Sequence, residues 1–265
     1  MAEDVWTRGD AYERYMGRWG RLVAAEFVPW LRVPAGGRWL DAGCGTGALA
    51  ATVLGVAEPA EVAGIDASAG FVAHARGQVS DPRARFEVGD AQALPYPDDR
   101  FDAAVSGLVV NFLPEPERAL REFVRVVAPG GVVAAYVWDY AEGMGMIRSF
   151  WTAALALDPD RGSEAALFPL CRPGPLEELW TGAGLREVAV EAIEVATVFR
   201  DFADFWTPFL AGVGPAPAYV VSLGEEHRAD LRERLRASLP VAEDGSIALK
   251  ARAWAVRGLV GPEKS

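Results

Sequence analysis

Three glycines within five residues, Gly43, Gly45 and Gly47, follow an aspartate in the run Asp41-Ala42-Gly43-Cys44-Gly45-Thr46-Gly47. Such a loop turns tightly, lets a ligand approach the backbone and leaves amide N–H groups at a helix N-terminus, a chemistry suited to phosphate or carboxylate. Gly43 to Ala48 also fits the dinucleotide fingerprint G-x-G-x-x-A, so the loop alone leaves the cofactor open. Asp66 lies 19 positions beyond Gly47, at the end of Val62-Ala63-Gly64-Ile65-Asp66. A carboxylate there can accept both hydroxyls of an adenosine ribose. Its alternative is to cap the next helix, a task Ser68 could equally fill. Asp90, in Gly89-Asp90-Ala91, can accept an exocyclic N–H of adenine. Cys44 occupies a variable slot of the loop and points to no redox chemistry.

These groups need strands that end beside one another. Arg38 to Asp41 reads as a short strand and Ala48 to Leu54 as a helix. Glu61 to Asp66 is the next strand, Ala69 to Gln78 a helix, and Ala84 to Val88 a third strand. Phe101 to Leu108 is a strongly apolar strand, and Pro116 to Val127 an amphipathic helix stopped by Pro129-Gly130-Gly131. Val132 to Trp138 is a further strand. The alternation predicts an α/β fold, a parallel sheet covered on both faces. Upstream, residues 12–31 carry Leu22, Val23, Phe27 and Leu31 at helical spacing. Downstream, Arg186 to Phe199 alternates apolar and polar residues as a half-exposed strand, and Ser246 to Val256 closes the chain as the last strand. We expect one domain over residues 1–265, with a core of about 36–138 plus strands at about 185–199 and 246–257. A helical cap is expected from insertions at about 140–183 and 201–240.

The formal charge of −11 disfavours a phosphate backbone as partner, and the densest basic group, Arg228, Arg232, Arg234 and Arg236, is interleaved with acids. A small-molecule substrate is expected, with no nucleic acid. No apolar run approaches the roughly 18 residues of a membrane span, so no membrane association is expected either. Cys44 and Cys171 are far apart and the start MAEDVWTRGD has no signal-peptide pattern, so the expected setting is the reducing cytoplasm. Two histidines and two separated cysteines argue against a zinc cluster, and no metal ligand is assigned.

The segments DAGCGTGALA, GIDAS, GDAQALPYPDDRFDAAVS and APGG, in that order, resemble the class I S-adenosylmethionine-dependent methyltransferases, particularly the ubiquinone/menaquinone-biosynthesis and small-molecule branch. The resemblance spans about residues 36–138. Tyr12 to Trp19 also resembles the helix that lies over the cofactor in that branch. The resemblance implies a Rossmann-like, seven-stranded, mostly parallel sheet with an antiparallel last strand, S-adenosyl-L-methionine as cofactor and S-adenosyl-L-homocysteine as product. It implies Asp41, Gly43, Cys44 and Gly45 at the methionine moiety, with Asp41 near its ammonium group. Asp66 would hold the ribose, and Ala67, Gly89, Asp90 and Ala91 would surround the adenine. Ser106, Gly107 and Leu108 would lie on the sulfonium side, with Tyr15 and Arg18 on the covering helix.

Acceptor contacts are expected from Asn111 and Phe112, where the family's substrate-facing turn begins, with a helix-start asparagine as the alternative for Asn111. Tyr136 and Asp139 lie at the carboxyl end of the fifth strand, the edge where ligands bind in open α/β sheets. Phe150, Trp151, Phe168, Phe205, Trp206 and Phe209 either line a pocket for an apolar or planar acceptor or form core. Methyl transfer from a sulfonium asks chiefly for alignment and exclusion of water, and no catalytic base is assigned. His74 reads as a packing residue and His227 as part of a surface helix. Two rivals remain at this point. A nicotinamide-dependent oxidoreductase would share the loop and Asp66, but no Tyr-x-x-x-Lys pair occurs and lysine is found only at 250 and 264. A cofactor-binding module without methylation would keep the same acids.

Overall fold

The computed structural model describes residues 13–160, 162, 164–212 and 214–262; Tyr12, expected to begin the first helix, lies outside them. One π-helical turn, Glu13–Gly17, leads into α1 (Arg18–Trp30). There follow β1 (Arg38–Ala42), α2 (Ala48–Val56), β2 (Glu61–Asp66), α3 (Ala69–Gln78), β3 (Ala84–Val88) and β4 (Phe101–Gly107). A 3-10 turn, Val110–Phe112, precedes α4 (Pro116–Val126) and β5 (Val127–Trp138). Next come α5 (Gly145–Leu155), α6 (Glu164–Leu167), α7 (Pro173–Gly182) and β6 (Arg186–Phe199). α8 (Phe202–Trp206), a 3-10 turn over Thr207–Ala211, α9 (Pro215–Ser222), α10 (Glu225–Ser238) and β7 (Ile247–Leu259) complete the order.

The strands form one seven-stranded sheet in the order β3-β2-β1-β4-β5-β7-β6. β1 to β5 are parallel, and β7 inserts antiparallel to both β5 and β6, as expected for this fold class. The central strands are the most apolar because both of their faces are covered: Ala103, Ala104, Val105, Val133, Ala134 and Ala135 are fully buried. α4 packs through Ala119, Leu120, Phe123 and Val126, one stripe at helical spacing, and starts with Pro116 in its first turn.

The last strand, expected over Ser246 to Val256, runs Ile247–Leu259, and the helix after the glycine loop extends past Leu54 to Val56. Two further differences have a local cause. Pro129-Gly130-Gly131 does not separate helix from strand; β5 already starts at Val127, opposite Phe101. The register then jumps to Ala103 opposite Val132, so these residues form an irregularity within the ladder. β4 ends at Gly107, because Leu108 turns into the left-handed region at φ 62°.

Past Trp138 the β6–β7 ladder continues alone, to Phe199 opposite Ile247, and rises beyond the carboxyl edge of the sheet. α5 packs on β7 there and α8 on β6. α7 falls within the stretch expected as the first cap insertion, yet it packs on β6 and β7. Its Trp180 Nε1 donates to Val133 O at 2.9 Å. Among the described residues no helix is long and apolar enough to cross a membrane.

Candidate functional site

The order of strands reverses between β1 and β4, and a crevice opens there at their carboxyl ends, as open α/β sheets require. A cavity of about 250 Å³ fills it, lined from the ends of β1, β2, β4 and β5 and from one face of α1.

The glycine loop is folded onto β2. Gly43 N and Cys44 N both donate to Ile65 O (2.8 and 2.9 Å), Gly45 N donates to Asp66 Oδ2 (2.9 Å), and Gly47 N donates to Cys44 O (2.8 Å). Gly43 is required by close approach: a Cβ there would lie 2.5 Å from Val109 Cγ1. The amides of Gly43, Cys44, Gly45 and Gly47 are therefore spent inside the chain.

Asp66 lines the cavity, accepting from Gly45 N through Oδ2 and from Ser68 N through Oδ1 at 2.8 Å. The helix cap falls to Ser68, whose Oγ accepts from Phe71 N at 3.4 Å. Asp41 also lines the cavity and is 1% exposed. Its Oδ2 accepts from Ala50 N at 3.0 Å, while its buried Oδ1 has no hydrogen-bond partner. Burial pushes its pKa up to about 7, and the Asp66 charge pushes the same way. Burial, with both carboxylates nearby, also drives the Cys44 thiol far up, so it is no nucleophile. Among the described residues lining the cavity there is no lysine, arginine or histidine.

Of the expected cofactor residues, Asp41, Gly43, Cys44, Gly45, Asp66, Ala67, Gly107 and Leu108 line this cavity. Gly89, Asp90 and Ala91 lie beyond Asp66 at the tip of β3, tied to it by Gly89 N donating to Asp66 O at 3.0 Å. Asp90 Oδ1 accepts from Gln92 N at 2.8 Å. Ser106 is fully buried and donates Oγ–H to Ala42 O at 2.8 Å, joining the ends of β4 and β1.

Tyr15 and Arg18 sit outside the lining. Tyr15 packs edge-on against Phe209, with ring centroids 5.5 Å apart. The Arg18 guanidinium pairs with Asp204 at 3.0 Å and lies over Trp19 and Phe199, 4.3 and 4.9 Å from their ring centroids. From the same stretch it is Gly17 and Gly20 that line the cavity. Two positions of offset are about 200° around a helix, so a face carrying residues 17 and 20 turns 15 and 18 away.

Among the acceptor candidates, Phe112 and Tyr136 line the cavity. Phe112 also meets Phe168 edge-on, at 4.9 Å between centroids, and Phe168 meets Tyr140 at 5.3 Å. Asn111 is not among the lining residues; its buried Nδ2 has no partner. Asp139 is also outside the lining. Its Oδ2 accepts from Arg252 Nε at 2.8 Å and its Oδ1 from the amides of Ala141 and Glu142. Phe150, Phe205, Phe209, Trp151 and Trp206 are buried against one another, Phe150 and Phe209 stacked at 4.7 Å, and form core instead of a pocket wall. His74 lies outside the lining, and His227 is exposed on α10.

Sequence reasoning missed Gly17, Gly20, Ser68, Phe71 and Val109. The pair Gly17 and Gly20, three apart on a helix, was the one signal available for the covering face.

Residues 40–135 match the family model described as "Methyltransferase domain". The chain is 31% identical over 141 residues to the ubiquinone/menaquinone biosynthesis C-methyltransferase UbiE of Geobacter sulfurreducens, an alignment covering 49% of this chain and 54% of that relative. The chain thus spans about half the length of the curated relatives it matches. Phosphoethanolamine N-methyltransferase 2 of Haemonchus contortus, solved with S-adenosyl-L-methionine, shares the fold. Its TM-score is 0.56 at 18% identity, covering 96% of this chain and 57% of that one. The [4+2]-cyclase SpnF aligns with a TM-score of 0.52 at 27% identity, over 92% of this chain and 82% of its own. The chain is related to small-molecule methyltransferases, those of quinone biosynthesis among them.

Proposed function

We propose that the chain is an S-adenosylmethionine-dependent methyltransferase that methylates a small, apolar or planar acceptor by direct displacement. The observation that carries this reading is the charge inventory of the cavity: two carboxylates, one with an unpartnered buried oxygen, and no cationic side chain among the described lining residues. A pyrophosphate would meet repulsion from Asp41 and Asp66 and would find the amides of Gly43, Cys44, Gly45 and Gly47 already engaged, which speaks against a dinucleotide. A ligand carrying an ammonium and a sulfonium meets the complementary charge.

In this reading Asp41 offers Oδ1 to the ammonium group. Asp66, oriented by the amides of Gly45 and Ser68, accepts from the ribose hydroxyls. Ala67, Gly89, Asp90 and Ala91 flank the adenine, and Phe112 and Tyr136 face the acceptor. The bound cofactor supplies an already activated methyl electrophile. The protein's share is alignment and exclusion of water, the latter by the apolar side chains of Leu108, Val109 and Phe112.

Calorimetric titration with S-adenosylhomocysteine and with NADH tests the cofactor, since a saturable heat with NADH alone would overturn the reading. Release of S-adenosylhomocysteine in the presence of phenol, quinol, amine and carboxylate acceptors tests the activity. The likeness to SpnF, named a [4+2]-cyclase, leaves room for a second reading, a cofactor-binding chain of this fold that catalyses no methyl transfer. Tight binding with no turnover across the panel would favour it.

A further inference from the structure

Leu108 is the one residue of the cavity wall whose backbone is held where a leucine adopts its conformation only under strain. Among the described non-glycine residues with left-handed φ, which also include Arg32, Glu58, Asp99 and Glu187, it alone lines the cavity. The neighbours that enforce this are on both sides. Leu108 N donates to Tyr136 O at 2.8 Å, and the next side chain, Val109, fills the space that a Cβ at Gly43 would need. Across the cavity mouth, Leu108 Cδ1 lies 3.3 Å from the position of a Cβ on Gly20, so the leucine packs directly on the backbone of α1. The residue is 8% exposed.

Along the sheet edge the two acids lie at the ends of β1 and β2, whereas the apolar Leu108, Val109 and Phe112 follow β4. With the acids committed to the ammonium and ribose of the cofactor, the apolar transferable group is left to the apolar residues. We propose that Leu108 is a specificity-determining residue that limits the size of the S-alkyl group the site accepts, its backbone held to β5 and its side chain packed on Gly20. This inference rests on the methyltransferase reading above.

The test compares binding of S-adenosyl-L-methionine, S-adenosyl-L-ethionine and S-adenosylhomocysteine by calorimetry, with no turnover required. Wild type is expected to bind the ethyl compound about tenfold or more weakly than the methyl compound, the lower end of what one methylene costs in a shaped pocket. Leu108→Ala should bring that ratio down at least about threefold while leaving the S-adenosylhomocysteine affinity within about threefold, because that ligand has no S-alkyl group. Gly20→Ala, which pushes Leu108 inward, should raise the ratio. Leu108→Gly, which keeps the left-handed conformation open, replaces Leu108→Ala if melting shows the alanine variant unfolded. A wild type that does not discriminate, or an unchanged ratio in a folded variant that still binds S-adenosylhomocysteine, overturns the inference alone. Failure of wild type to bind S-adenosylhomocysteine overturns the methyltransferase reading and this inference with it.

Discussion

Asp41, near the end of β1, and Asp139, just past the end of β5, are 1% and 2% exposed, and both were expected to face ligands. Their surroundings differ. Asp139 has every oxygen engaged: Arg252 on β7 takes Oδ2, and the amides of the next turn take Oδ1. Asp41 lines the cavity, and its Oδ2 accepts from Ala50 N while its Oδ1 is buried without a hydrogen-bond partner. A buried carboxylate with a full set of partners is a joint between elements. One with an orphan oxygen beside a cavity is a group whose partner comes from outside.

The sharpest way to break this contrast is Asp139→Ala. It strips Arg252, whose side chain is 25% exposed, of its main partner and should cost about 2–4 kcal/mol in chemical denaturation. S-adenosylhomocysteine affinity should stay within about threefold; a large loss of affinity would make Asp139 a ligand contact after all. Asp66→Ala should have a smaller effect on a different readout, weakening S-adenosylhomocysteine binding by about 1–3 kcal/mol in calorimetry. Unchanged affinity would remove Asp66 from the ribose.

Asp41→Asn should weaken the same ligand about tenfold at pH 8. Its stability should change in the opposite sense from Asp139→Ala. A carboxyl raised from 3.8 to about 7 on folding destabilises the native state in its charged form. The penalty is absent below about 3.8, grows as pH rises and is complete above about 7. Melting temperatures of wild type and Asp41→Asn, compared from pH 5 to pH 8, should therefore move in the variant's favour as pH rises, while the wild type's affinity for S-adenosylhomocysteine improves over the same window. A pH-independent difference would mean that Asp41 is ionised throughout.

The sheet was legible because its signals are short-range. β2, α3, β3 and β6 begin and end at the residues expected, each bounded by its own turn chemistry or change of periodicity. The glycine loop and Asp66 were legible for the same reason, as neighbours joined through two adjacent parallel strands. Side-chain direction was not. Tyr15 and Arg18 carry the chemical groups, but the rotation of α1 turns Gly17 and Gly20 to the cavity and Arg18 to Asp204, 186 positions away. The aromatic run at 205–209 reads alike as core or pocket wall, and its burial against Phe150 and Tyr15 decides for core.

The run from Asp41 to Gly47 by itself determined a strand, a tight turn and a helix, since glycine placement and periodicity act over a few residues. What became of its polar groups was decided only in three dimensions. β2, the next strand, takes up the amides of Gly43, Cys44 and Gly45, and close packing over Asp41 leaves one oxygen without a partner. Hydrogen bonds and burial are settled by neighbours distant in sequence, and they turned a loop that fits two kinds of cofactor into a cavity with the charge for one.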